Sequence, residues 1–290
     1  MDVSVDAATR LVALLGDPVE HSLSPRIHNT AFVAGRLNFV YVALKVSAPH
    51  VEEAVRGLRA LNFAGANVTA PHKQAVIPAL DRLSPQAAEV GAVNTIVCKP
   101  RPETGEIELF GDNTDVAGFL SPLRTFEDKL RGKPMAIFGA GGAARAVAYA
   151  LLTAFQPERL TLAARTTERA RAIAEDLSAF DLHHALEIRP IGESRDAVRS
   201  SVLIVNATTL GTHPGVEASP WPNSGDFSKE QIVYDLVYNP ESTRLLGDAA
   251  SRGATTLGGL EMLIAQAAMA FEQWTGYVMP ADEVRKALRS

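Results

Sequence analysis

The tightest constraint on this chain is a short stretch near its middle, Gly139-Ala140-Gly141-Gly142-Ala143-Ala144, which obeys the pattern G-x-G-x-x-A. Four apolar residues, Met135 to Phe138, precede it as a predicted buried strand, and an alanine-rich run over 142–154 follows at helical spacing. In that order the small residues have a physical task. Glycine allows a tight turn and lets the main chain approach a pyrophosphate, which the free N–H groups and dipole of the helix N-terminus then hold. Small residues also let a helix pack closely on a strand, but strand, turn and helix in sequence favour the dinucleotide. The alternation continues beyond the loop, with strands expected at 160–164, 202–206 and 232–236 and a helix at 167–179.

The strand at 160–164 should end over an adenosine ribose, where NAD-binding chains place Asp or Glu. Here the residues are Ala163-Ala164-Arg165-Thr166, with Arg169 four positions further on one helical face. A guanidinium offers permanent charge and paired donors to a phosphate, so NADP(H) is expected over NAD.

The first half shows the same βα alternation without the glycine loop. Strands are expected at 11–15, 39–46 and 65–69, helices at 25–34 and 51–61, and further apolar runs at 92–98 and 107–110 lead to a helix at 114–125. Ser24 is expected to cap the first helix and Gly35 to stop it. A polar stretch with glycine and proline, 129–134, suits a domain boundary. Polar clusters stand at the predicted strand ends or loops: Ser22 to Pro25, Asn67 to Lys73, Gly91 to Thr95, and Gly111 to Asp115. Ligand crevices of open α/β sheets lie beyond strand carboxyl ends, so these clusters can converge on a polyhydroxylated ligand. Lys73 and Asp115 are selected for chemistry, because reduction of a ketone by hydride needs a proton at the developing alkoxide.

Composition narrows the class further. With 28 Lys and Arg against 33 Asp and Glu the net charge is −5, which argues against a nucleic-acid partner. One cysteine, Cys98, allows no intrachain disulfide, and neither His21 nor His72 is spaced for a metal, so both are expected to be structural. No run reaches the roughly 18 apolar residues of a membrane span, and the first residues do not read as a signal peptide, so a cytoplasmic protein is expected. The 290 residues suit two domains.

Ser22-Leu23-Ser24-Pro25, Asn67-Val68-Thr69-x-Pro71-x-Lys73, Gly91-Ala92-Val93-Asn94-Thr95, Asn113-Thr114-Asp115, the glycine loop, Arg165-Thr166, Asn206-Ala207-Thr208 and Gly258 to Gln266 occur in one order. Together they resemble the shikimate dehydrogenase family over most of the chain. The resemblance implies an N-terminal, open, mostly parallel α/β substrate domain at 1–122, completed by helices at 260–290, and a Rossmann NADP-binding domain at 123–259. It implies NADPH-dependent reduction of 3-dehydroshikimate to shikimate, in the pathway to aromatic amino acids, by a monomer or homodimer whose partners are small molecules. Ser22 and Ser24 would hold the substrate carboxylate, with Tyr238 near it. Asn67, Thr69, Asn94, Asp115 and Gln266 would hold ring hydroxyls, and Lys73 and Asp115 would form the catalytic pair. The cofactor would lie on Gly139, Ala140, Gly141, Gly142, Ala143, Arg165, Thr166, Arg169, Asn206, Thr208, Leu236 and Gly259; no metal is implied. Two positions depart from the family pattern: Ala164 stands where Asn is common, and Leu236 where Met is common. Alternatives are a quinate or dual quinate/shikimate dehydrogenase, and a non-catalytic NADP-binding sensor.

Overall fold

Short runs of Val, Leu, Ile and Ala become the central strands, which are buried along most of their length. In the computed structural model, which describes residues 5–289, the first half contributes β1 (Arg10–Gly16), β2 (Phe39–Lys45), β3 (Gly65–Val68), β4 (Arg82–Leu83), β5 (Thr95–Pro100) and β6 (Ile107–Asp112). They form one sheet in the order β2-β1-β3-β5-β6-β4. β1 runs parallel to β2 and β3, and β4 parallel to β6, while β5 is antiparallel to both its neighbours. The reversal has a consequence for function. It brings the start of β5 to the sheet edge where β3 and β6 end, with Thr95 opposite both Asn67 and Asp112. Val55 and Leu58 of the helix Val51–Ala60 close one face over Ala66, Val68, Ile96 and Leu109.

The first helix spans Ser24–Ala34, and here the structure corrects the sequence. Leu23 takes the N-cap position, so Ser24 is the first helical residue and not the cap; its amide donates to Ser22 Oγ at 3.2 Å. Gly35 ends the helix with φ −79°, and the left-handed residue is Arg36, φ 53°. The helix expected over 114–125 is α-helical only at Asp115–Leu120 and tightens to 3₁₀ at Ser121–Phe126. Pro122 explains the change, because it lacks an N–H and disfavours the α conformation of Ser121.

The second half contributes β7 (Met135–Phe138), β8 (Leu160–Ala164), β9 (Leu186–Pro190), β10 (Leu203–Asn206), β11 (Ile232–Asp235) and β12 (Thr255–Leu257). Their order is β12-β11-β10-β7-β8-β9, and every pairing is parallel. The chain starts in the middle, steps outward twice, then crosses back beside β7. That is the doubly wound Rossmann arrangement, with its switch point between β7 and β10.

Contacts divide the chain into two compact units, one running to Thr114 and resuming at Ile264, the other being Asp115–Leu263. The breaks expected from sequence, at 122/123 and 259/260, both shift. The helix Asp115–Leu120 packs on the helix Gly142–Phe155, with Phe119 stacked on Tyr234 at 5.2 Å between ring centroids. The helix Gly259–Thr275 begins in the second unit, where the Gly259 amide donates to Val237 O at 3.2 Å. Its later turns belong to the first unit: Phe271 stacks on Phe32, and the Trp274 indole donates to Ile96 O at 2.9 Å. The helix Ala281–Arg289 packs on Ser24–Ala34.

Candidate active site

In the first unit, the ends of β1, β3 and β6 and the start of β5 present the expected polar residues at one edge of the sheet. Asn67 is the third residue of β3, and Asn94 directly precedes β5. Both amides are buried, so their polar atoms must be matched inside the protein. The Asn67 amide donates to Asn94 O at 3.1 Å and to Thr95 Oγ1 at 3.3 Å, and its oxygen accepts from the Tyr41 hydroxyl at 2.9 Å. Asn94 Oδ1 accepts from the Thr114 amide at 2.7 Å, and Asn94 Nδ2 donates to Thr114 Oγ1 at 2.9 Å and Gln266 Oε1 at 3.4 Å. Asn67, Asn94 and Gln266 thus share one network, although Gln266 lies 172 residues from Asn94.

Ser24 is buried and Ser22 half-buried in the turn after β1. Thr69 and Lys73 follow β3 and are half-buried. A Cβ on Gly16 would overlap the Thr69 methyl, so glycine is what permits the two strand ends to approach. The turn carrying Lys73 is anchored by its neighbour His72, buried with Nε2 2.6 Å from Val46 O. His72 is therefore structural. Asp115 is buried and opens the second unit, so the residues expected to act together at 73 and 115 come from different units.

In the second unit, Gly139 has φ +114°, and its amide donates to Ala163 O at 2.9 Å. Gly141 occupies the N-cap of the helix Gly142–Phe155 with no side-chain cap, and a Cβ on it would meet nothing within 4 Å. The corner is thus open towards the uncapped helix end. Arg165 directly follows β8, Thr166 is the N-cap of the helix Thr167–Asp176, and Arg169 lies in its first turn. All three are exposed, and neither arginine has an ion-pair or hydrogen-bond partner among the described residues. Glu168, the nearest acid in sequence, lies 3.5 Å from Arg171. An open glycine corner with two unpaired guanidinium groups at the strand end fits a dinucleotide bearing a 2′-phosphate.

Asn206 and Thr208 act within their own loop. Asn206 Oδ1 accepts from the amide and hydroxyl of Thr208 at 3.0 and 2.7 Å, and its Nδ2 donates to Asp235 Oδ1 at 2.8 Å. Asp235 also accepts from the Val237 amide at 3.0 Å and the Thr243 hydroxyl at 2.6 Å. Burial pushes this carboxyl above the usual range, and the three hydrogen bonds oppose the shift. The network shapes the segment carrying Leu236 and Tyr238, both half-buried. Leu236 leaves no room for a side chain at 259: a Cβ on Gly259 would overlap Leu236 O. Tyr41 and Asp235 escape sequence-based selection as candidate site residues. Their signal, a polar atom facing a motif residue, exists only after folding.

Residues 14–96 match the shikimate dehydrogenase substrate binding domain, and residues 259–289 match the shikimate 5′-dehydrogenase C-terminal domain. The shikimate dehydrogenase (NADP(+)) of Salinibacter ruber is 55% identical over 288 residues, 99% of each chain. The chain belongs to the shikimate dehydrogenase family. Among solved members, shikimate 5-dehydrogenase from Thermus thermophilus in complex with NADP(H) and shikimate has a TM-score of 0.80 at 36% identity, covering 97% of this chain and 99% of that one. Quinate dehydrogenase from Corynebacterium glutamicum in complex with NAD has a TM-score of 0.86 at 31% identity, again covering 97% and 99%. Backbone likeness alone does not separate shikimate from quinate enzymes; the side chains must do so.

Proposed function

We propose that this member of the shikimate dehydrogenase family catalyses reversible, NADPH-dependent reduction of 3-dehydroshikimate to shikimate. The observation that carries the proposal is 55% identity over 99% of a shikimate dehydrogenase (NADP(+)), joined to an arginine where an NAD enzyme has an acid. The nicotinamide cofactor supplies the hydride when bound. Ser22 and Ser24 hold the substrate carboxylate through hydroxyl donors, a neutral cradle that suits a chain of net charge −5. Asn67, Thr69, Asn94 and Gln266 hold the ring hydroxyls and fix which carbon faces the hydride. Lys73 gives a proton to the carbonyl oxygen as that oxygen becomes an alkoxide, and recovers one from solvent; in the reverse direction its amine takes the hydroxyl proton. Asp115 is the second catalytic residue by the family resemblance, its carboxylate accepting a hydrogen bond from a ring hydroxyl.

The test is loss of NADPH absorbance on mixing the full chain with 3-dehydroshikimate, repeated with 3-dehydroquinate and with NADH. Turnover should be fastest with 3-dehydroshikimate and NADPH. Faster turnover of 3-dehydroquinate would assign a quinate enzyme, and NADPH binding without turnover of either ketone a sensor. Lys73→Ala should lower kcat by roughly 10²-fold or more with a smaller change in KM. An unchanged kcat removes Lys73 from the chemistry.

A further inference from the structure

Asn67 has four hydrogen-bonding capacities, and the first unit uses three. A main-chain carbonyl can only accept, so the 3.1 Å contact with Asn94 O identifies that end of the amide as the NH₂ group, which also reaches Thr95 Oγ1 at 3.3 Å. The other end is the oxygen, and Tyr41, 2.9 Å away, must be donating to it. One lone pair of Oδ1 is left.

Tyr41 is itself held from behind. Its ring lies face to face with His28, with centroids 4.5 Å apart and planes 15° apart, and Trp274 closes on the His28 ring at 5.1 Å. His28 is fully buried, and neither ring nitrogen meets a hydrogen-bond partner. Burial pushes its imidazole down to about 3, and the neighbouring Asn67 side chain opposes the shift from beyond hydrogen-bond distance. At neutral pH it is an uncharged ring that packs as an aromatic.

We propose that Tyr41, seated against His28, is a positioning residue for substrate recognition. Its hydroxyl holds the Asn67 amide in one orientation, so that Asn67 meets the substrate as a hydrogen-bond acceptor for a ring hydroxyl. This rests on Asn67 being a substrate residue. In Tyr41→Phe the ring and its stack remain and only the hydroxyl is lost. The loss of one neutral hydrogen bond corresponds to roughly five- to ten-fold in affinity.

The experiment is steady-state kinetics of shikimate oxidation by NADP⁺ with the full-length chain, on wild type, Tyr41→Phe and His28→Phe. For Tyr41→Phe the shikimate KM should rise roughly five- to ten-fold, with kcat and the NADP⁺ KM within about two-fold. His28→Phe keeps a neutral ring behind Tyr41 and should leave the shikimate KM within about two-fold. A shikimate KM in Tyr41→Phe equal to wild type overturns the positioning role and leaves the activity standing. So does an equal rise in both KM values, which reports general loosening of the fold. Absence of shikimate turnover in wild type overturns the assigned activity itself, and the positioning role with it.

Discussion

Arg165 and Tyr41 stand at opposite ends of what a residue discloses by its place in the chain. Arg165 follows a strand that a glycine loop had already marked as cofactor-facing, so its charge is interpretable before folding. The structure leaves that guanidinium exposed and unpaired among the described residues. A charge-assisted contact to a phosphate is worth about 1.5–3 kcal/mol. Arg165→Ala should therefore raise the KM for NADPH by roughly ten-fold or more while changing that for NADH less than about two-fold. Equal changes in both would remove the phosphate role. Tyr41 gives no such warning, because an aromatic in Phe39–Lys45 reads as core, and it is core, at 2% exposure. Its function depends on a hydroxyl whose partner lies 26 residues away. Ser24 shows the converse: the sequence offers it as a helix cap, and folding places it one position inside the helix.

Among elements, the strand, turn and helix over 135–155 are the most legible, because local rules agree there: an apolar run, a residue that accepts positive φ, and an alanine-rich helix. The two glycines of the turn do different work. On Gly139 a Cβ would lie 3.0 Å from Thr208 Cγ2 and 3.1 Å from Ala207 O, at φ +114°; on Gly141 it would meet open space. Gly139→Ala should thus destabilise the second unit by about 1–3 kcal/mol, seen as a lower Tm, and weaken NADPH binding as well. Gly141→Ala should leave Tm almost unchanged yet raise the NADPH Kd in a fluorescence titration, since its methyl enters the space of the pyrophosphate. If Gly141→Ala bound NADPH as wild type does, the open corner would not be the phosphate seat. Strands β9 and β12 are not legible. Leu186–Pro190 is half-exposed and Thr255–Leu257 is three residues long, so neither carries a buried apolar run.

Across the whole molecule, stability couples to pH through groups that neither motif nor charge count reveals. His28 is held at about 3 in the folded chain against 6.5 when exposed. Between these values the unfolded chain binds a proton that the folded chain refuses, so stability is full above pH 6.5 and falls as pH drops towards 3. The loss is about 1.4 kcal/mol per pH unit, or about 2 kcal/mol between pH 7.5 and 5. Asp235, raised by burial, has the opposite sense, contributing stability at low pH that is lost as pH rises through its folded value. It lies in the other unit and is common to every variant compared. The chain has two tryptophans, so in a Trp221→Phe background Trp274 reports urea unfolding of the first unit. There His28→Phe should flatten the decline in stability from pH 7.5 to 5 by about 2 kcal/mol. Identical slopes would show that His28 takes up its proton at the same pH in the folded chain as in the unfolded one.

The sequence by itself determined the local units: the alternation of strand and helix, the glycine corner, and the arginine after β8. Hydrophobic period, turn chemistry and helix-end signals act within about ten residues, so they can be read along the chain. Only the tertiary structure decided that β5 runs backwards, that one helix begins in the second unit and ends in the first, and that Tyr41 and His28 stand behind Asn67. Those outcomes join residues 26, 27 and 172 apart. At such separations pairing is set by which faces bury together and which buried polar atoms find partners, and no local pattern encodes either.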